Sequence, residues 1–207
     1  MKSKLTTIDG ATILVWELTE SIETLKSQLQ LIESDKIEFD KIVSDKRKLE
    51  FLGIRTALKT VIGKEILIQY DDEGKPHLSD KSFHISVSHS NKWIAVIVHP
   101  SKKVGIDIEC PTDKIQKLYK RFLSPVEQKE LSGGNDIHQL LIAWSAKEAL
   151  YKIIGKESID FANQLRIFPF EVKAHGEMRA QHVPTKSNYL LNYQQTEQYT
   201  LVYCLTE

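Results

Sequence analysis

A chain of 207 residues with 41% hydrophobic content can bury one sizeable core, or two small ones that share an interface. Lys plus Arg total 28 and so do Asp plus Glu, which excludes a global basic field for nucleic acid or an acidic membrane and leaves any anion site local. Cys110 and Cys204 end apolar runs without CxxC spacing, the usage of reduced packing residues, and Ile13-Leu14-Val15-Trp16 is too short for a signal core or a membrane span, so the protein is expected to be cytoplasmic.

Residues 13–18 read as a strand, after which Thr19 or Ser21 opens an amphipathic helix carrying Ile22, Leu25, Leu29 and Ile32. A helical stripe continues across residues 34–62 through Ile42, Leu49, Leu52, Ala57, Leu58 and Val61. Lys36, Lys41, Lys46, Arg47, Lys48 and Arg55 lie along it as a solvated face, with one or two of them in reach of a phosphate. Residues 66–70 form a strand, and the turn Asp71-Asp72-Glu73-Gly74-Lys75-Pro76 holds Lys75 on a stiff tip before His77-Leu78. Residues 83–90 and 93–98 form a hairpin across Asn91-Lys92. Its first strand, with His84, Ser86, Ser88, His89 and Ser90 in seven residues, fits a polar site as well as a satisfied rim.

Val104-Gly105-Ile106-Asp107-Ile108-Glu109 reads as a strand with one apolar and one acidic face, because side chains alternate sides along a strand. Val104, Ile106 and Ile108 face a core, while Gly105 shares the other side with Asp107 and Glu109 and leaves room there for a ligand. The two acids lie roughly 6.5 Å apart, close enough for both to reach one cation. Two uncompensated anions at the edge of a core are costly, and a divalent metal removes that cost.

Pro111 ends this strand, and residues 114–122 form a short helix. Ser124-Pro125-Val126-Glu127 is a capping box with proline at the first helical position, so another helix starts there, and Gly133-Gly134 stops it. The strongest helix spans 136–154 and closes on Gly155. Leu140, Leu141, Trp144 and Tyr151 make its apolar stripe, yet Trp144, Glu148 and Lys152 recur at i, i+4 and i+8, so an acid and a lysine share that face. An internal Glu148–Lys152 ion pair and a functional site are both open readings. Residues 165–168, 170–172, 189–191 and 199–205 suggest a small antiparallel sheet, so both halves of the chain run through helices into a closing hairpin without a sequence repeat.

Three acids stand out: Asp107 and Glu109 on one strand and Glu148 on a separate helix. Carboxylates without cysteine or clustered histidine suit a hard cation, Mg²⁺ first in a cytosol. Mg²⁺ held by few carboxylates takes its other ligands from water and substrate phosphates, and Lys147 and Lys152 would complete a pyrophosphate site. This chemistry is attack on, or displacement of, a diphosphate.

The acidic strand followed by Trp144-Ser145-Ala146-Lys147-Glu148-Ala149-Leu150-Tyr151-Lys152 resembles the paired signature of the 4′-phosphopantetheinyl transferases. Gly74-Lys75-Pro76 and Ser88-His89-Ser90 are similar to two further motifs of that family, in the same order. Four ordered motifs across residues 74–152 are far more specific than a lone G-x-D-x-E. The length resembles the larger, surfactin-synthetase-activating type; the smaller type, three short chains that build the same clefts, does not fit. The resemblance implies an α+β fold of two similar subdomains, 1–101 and 102–207, each a small antiparallel sheet packed with helices. A pseudo-twofold relates them, the second carries the metal-binding acids, and coenzyme A and Mg²⁺ lie in the cleft between the two.

The reaction so implied moves the phosphopantetheine arm of coenzyme A onto a serine of an apo acyl or peptidyl carrier protein, releasing adenosine 3′,5′-bisphosphate. Carried over residue by residue, Asp107, Glu109 and Glu148 bind Mg²⁺ against the pyrophosphate and Glu148 also acts as base. Lys152 stabilises or protonates the leaving phosphate, and Lys147 holds the pyrophosphate. Lys75, Ser88 and His89 contact the coenzyme's phosphates, Lys75 or His89 meeting the 3′-phosphate. A cation near Lys36 assists, and Arg55 matches a basic position of the family, where a structural role is equally open. Carriers of this kind are acidic, so Lys114, Lys117, Lys120 and Arg121 beside Leu118 and Phe122 are either their receiving surface or an ordinary exposed face. The chain is expected to act as a monomer, with no nucleic-acid or membrane partner. Two other readings compete: an Mg²⁺-dependent phosphohydrolase acting on a nucleotide diphosphate with the same acids, and a non-catalytic coenzyme-binding module, which nothing in the sequence favours.

Overall fold

The N-terminal sheet begins one strand earlier than the apolar run at residues 13–18. In the computed structural model, which describes residues 2–72, 74–131, 134–155 and 158–206, Lys2–Ile8 (β1) pairs antiparallel with Ala11–Glu17 (β2). Asp9 and Gly10 join them with φ of 47° and 81°, the backbone of a tight hairpin that an Asp-Gly pair adopts readily. β1 is almost wholly exposed and therefore lacks the apolar alternation by which strands are recognised.

The chain divides into two compact units, residues 1–101 and 102–207. In the first, Ser21 caps Ile22–Gln28 (α1), which ends at Leu29 rather than running on through Ile32. The stripe across 34–62 is two helices, Glu33–Lys41 (α2) and Asp45–Ile62 (α3). Ile42 turns to an extended backbone and the Ser44 hydroxyl accepts the Arg47 N–H, starting a new helix. Ile68–Tyr70 (β3) and Pro76–Leu78 (β4) pair with each other; Glu73, part of the expected turn between them, lies outside the described residues. His84–Ser90 (β5) and Trp93–His99 (β6) form the expected hairpin, and the antiparallel sheet has the order β1-β2-β6-β5. Leu14, Trp16, Leu25, Leu52, Leu58, Ile85, Ile94 and Val96 build its core.

Arg55 does not belong to a solvated face. It is buried on α3, donates from Nη2 to Asp35 Oδ1 at 2.8 Å, and stacks 3.3 Å from the Phe51 ring centroid, tying α2 to α3. A guanidinium enclosed in this way is out of reach of a phosphate.

The second unit orders its strands β7-β11-β10-β9-β8, all antiparallel: Lys103–Glu109 (β7), Leu165–Ile167 (β8), His175–His182 (β9), Ser187–Gln195 (β10) and Thr200–Thr206 (β11). Its helices are Ile115–Phe122 (α4), Pro125–Glu130 (α5), Ile137–Ile154 (α6) and Phe161–Gln164 (α7). The capping box of α5 is complete, Ser124 Oγ accepting the Glu127 N–H and Glu127 Oε2 the Ser124 N–H. The helix ends at Glu130, and Gly133 of the expected stop lies outside the described residues.

Residues 170–172 are not a strand. The Phe170 carbonyl accepts Gln139 Nε2–H and the Glu171 carbonyl accepts the Tyr193 hydroxyl, so side chains hold this backbone where a ladder was expected. The strand in its place is β9, of which only Met178, Ala180 and His182 are buried, a pattern too polar to read from the sequence. Helix α6 covers the sheet, packing Ile142, Ala146, Ala149, Leu150 and Ile153 against Leu165, Ile167, Met178, Leu191 and Val202.

Each unit is thus α+β, an antiparallel sheet with helices packed on it. Both cysteines are free, and burial pushes the Cys204 thiol up to about 12, so it remains a thiol. Among the described residues no helix is long and apolar enough to cross a membrane.

Candidate active site

Among the described residues strand β7 sits at the edge of its sheet and pairs only with β11, in a register that sets Val202 opposite Asp107 and Thr200 opposite Glu109. Val104, Ile106 and Ile108 are buried on one side, as the alternation requires; on the other, Asp107 is buried and Glu109 half-buried. Gly105 does not make room for a ligand. A Cβ there would overlap the main-chain carbonyl of Ala149 and crowd Ile153 Cγ1 at 2.8 Å, so the glycine lets α6 lie directly on the acidic face of β7.

Helix α6 is held at both ends. Asp136 caps it, accepting the N–H groups of His138 and Gln139, and Gly155 closes it in the left-handed region. This fixes the face bearing Trp144, Glu148 and Lys152. Trp144 Nε1 donates to Glu109 Oε1 at 3.3 Å, and Lys152 Nζ donates to Asp107 Oδ1 at 2.9 Å and to the Ile106 carbonyl at 2.8 Å. The lysine therefore reaches across to the strand; it does not pair with Glu148 along the helix.

Glu148 is raised to about 7, first by burial and then by the charge of Asp107, with Lys152 opposing and Glu109 adding a smaller push. Glu148 thus feels both acids of the strand. Among the described residues no three carboxylate, imidazole or thiol groups stand ready-made as a metal site. The donor set nevertheless fits a hard divalent cation: three carboxylates, two of which raise the cost of charging the third, one ammonium against them, and no sulfur or imidazole among these residues. A carboxyl that titrates near neutrality beside a lysine can also give or take a proton.

Lys147, expected at the pyrophosphate, is turned into the interior. Its Nζ is fully buried, 2.9 Å from Glu127 Oε2 and 2.7, 2.8 and 2.6 Å from the carbonyls of Phe122, Phe161 and Leu165. Burial pulls its pKa down to about 8 against the pull of Glu127, so it stays an ammonium at neutral pH. With its donors engaged and no surface, it has nothing to offer a phosphate. Its partner Glu127 was legible only as a helix cap; the second role had no signal in the sequence.

The N-terminal candidates lie in the first unit. Gly74 has φ of 78°, and the Lys75 N–H donates to Asp71 Oδ1, so the expected tip is built with the lysine half-buried. Ser88 and His89 are adjacent on β5 and point to opposite faces of the sheet. Ser88 is buried, while His89 is exposed and lies 3.4 Å from Glu50 of α3. Lys36 is exposed beside Glu33.

Residues 103–204 match the sequence profile of the 4′-phosphopantetheinyl transferase superfamily. Over 162 residues the chain is 30% identical to the 4′-phosphopantetheinyl transferase of Bacillus subtilis, a match covering 73% of this chain and 69% of the relative. It is 29% identical over 133 residues to a putative 4′-phosphopantetheinyl transferase of Synechocystis and 27% identical over 131 residues to one of Haemophilus influenzae. Those matches cover 57% and 60% of this chain, and it spans just over half the length of each, 54% and 53%.

Proposed function

The chain belongs to the 4′-phosphopantetheinyl transferase superfamily, and from that premise we propose that it moves the 4′-phosphopantetheine arm of coenzyme A onto a serine of an apo acyl or peptidyl carrier protein. In this reading the reaction is that of a holo-[acyl-carrier-protein] synthase, depends on Mg²⁺ and releases adenosine 3′,5′-bisphosphate. The observation that supports it is the meeting of Asp107, Glu109, Glu148 and Lys152 where α6 crosses β7.

Asp107, Glu109 and Glu148 would hold Mg²⁺, which neutralises a diphosphate and draws electron density from the phosphorus under attack. Glu148 takes the serine proton as the serine oxygen bonds to phosphorus. Lys152 meets the charge that develops on the leaving phosphate as its bond to phosphorus breaks. Lys75 and either Ser88 or His89 meet the remaining phosphates, since a ligand lying on one face of β5 finds only one of those two neighbours. The carrier's acidic surface is received by Lys114, Lys117, Lys120 and Arg121 around Leu118, all exposed on α4 or at its start; Phe122 is core and takes no part.

Incubation with coenzyme A, Mg²⁺ and a panel of apo carrier proteins should add the mass of one phosphopantetheine arm to at least one carrier. Glu148→Gln should lower kcat by about 10²–10⁴ with the fold retained. Absence of a mass gain across the panel removes the reading, and phosphate release from a nucleotide diphosphate without any acceptor replaces it with the hydrolase.

A further inference from the structure

The ammonium of Lys152 already occupies one oxygen of the cluster's best-buried acid. It donates to Asp107 Oδ1 at 2.9 Å and to the Ile106 carbonyl at 2.8 Å, a charge-assisted bond backed by a main-chain acceptor. The two partners differ in freedom. The Lys152 side chain keeps 24% of its surface exposed and that of Asp107 only 5%, so the lysine head can swing toward water while the carboxylate stays where β7 holds it. Nothing comparable is open to Lys147 on the same helix, which is enclosed by four acceptors.

We propose that Lys152 is a placeholder: it holds Asp107 until a divalent cation claims that carboxylate, and is thereby released to a diphosphate. This rests on the metal role given above to Asp107, Glu109 and Glu148. One ammonium stands against three carboxylates, so the cluster retains negative charge that a cation can use. An Asp107 oxygen already bonded to an ammonium is a poorer cation ligand, because that bond must break first. Once displaced, the ammonium is repelled by the incoming cation and attracted by phosphate. Cation and diphosphate therefore assist each other, and by linkage the assistance is equal in both directions.

The test uses Mn²⁺ as the probe and the whole chain, without coenzyme or carrier, following free Mn²⁺ by electron paramagnetic resonance. Lys152→Met should bind Mn²⁺ at least about tenfold more tightly than the parent, a factor equivalent to about 1.4 kcal/mol, while Lys152→Arg, which keeps charge and donors, stays near the parent value. Mn²⁺ should also raise the melting temperature of Lys152→Met more than that of the parent. If the methionine variant does not fold, Lys152→Gln supplies the same comparison with an uncharged donor. Equal or weaker Mn²⁺ binding by the variant, with the parent binding normally, overturns the placeholder and leaves the metal role standing. Absence of binding by parent and variant alike overturns both.

Discussion

Lys147 and Lys152 project from α6 five residues apart, and each lies 2.9 Å from a carboxylate, Glu127 for the first and Asp107 for the second. Around Lys147 three main-chain carbonyls complete the shell. Glu127 is equally engaged, Oε1 accepting the Ile167 N–H at 2.7 Å and Oε2 the Ser124 N–H at 2.8 Å, and both side chains are fully buried. Around Lys152 there is one carbonyl, one carboxylate oxygen, a partly open side, and two further acids whose charges burden one another. The first pair spends all its hydrogen-bonding capacity on joining α4, α5, α7 and β8 to α6. The second keeps capacity in reserve, and that reserve is what a ligand can use.

The largest effect should come from opening the saturated pair. Lys147→Met leaves the Glu127 carboxylate buried without its ammonium and should lower the unfolding free energy by about 3–5 kcal/mol, as breaking buried pairs does. Adding Glu127→Leu removes the unpaired charge but strands the Ile167 and Ser124 N–H groups and the three carbonyls, so the double variant should recover only part of that loss. A denaturant titration that finds the single variant within about 1 kcal/mol of the parent would refute the architectural role. Next comes Gly105→Ala, which pushes a methyl group into the Ala149 carbonyl and should cost about 1–3 kcal/mol as overpacking. Because it separates α6 from β7, it should also weaken cation binding, whereas Lys147→Met does so only through loss of folded protein.

The open pair should respond to pH. Glu148 at about 7 lies above the 4.5 of a free glutamate, so the folded chain keeps a proton that the unfolded chain has given up. The stability tied to this proton is complete below about 4.5 and is lost as pH rises through about 7. Glu148→Gln carries no such loss, so its unfolding free energy should gain on the parent between about pH 5 and 8, by on the order of 1 kcal/mol, and Mg²⁺ added at the upper end should narrow the gap. Parallel pH profiles for the two proteins would mean that the three acids do not share a field.

Half of this contrast was legible in the sequence. The alternation in residues 104–109, the Ser124–Glu127 capping box and the i, i+4, i+8 spacing of Trp144, Glu148 and Lys152 each rest on local periodicity, which the fold preserves. The inward turn of Lys147 was not. Neighbours on a helix point roughly 100° apart, and α6 is buried around most of its circumference, so the stripe of Leu140, Leu141, Trp144 and Tyr151 does not mark which neighbour faces the interior. Gly105 misled for a related reason: a missing side chain admits a ligand or a helix equally well, and only the tertiary approach of Ala149 decides. Strands β1 and β9 escaped because exposed, polar strands carry little alternation, although Asp9-Gly10 was a usable hairpin signal for the first.

Trp144 touches both regions and gives the finest test of how separate they are. Its ring meets Phe122 edge-on at 5.1 Å and Phe161 at 5.6 Å, two of the three residues whose carbonyls hold Lys147, while its Nε1–H reaches Glu109 at 3.3 Å. Trp144→Phe keeps the aromatic contacts and removes only the donor. A single hydrogen bond to a carboxylate at that length should cost stability no more than about 1 kcal/mol, so melting should barely move. Glu109, freed from the indole, should hold a cation less firmly, and Mn²⁺ affinity should fall by a few-fold. A large drop in melting temperature with unchanged Mn²⁺ affinity would reverse the assignment, making Trp144 part of the framework around Lys147 and leaving Glu109 to be oriented by β7 alone.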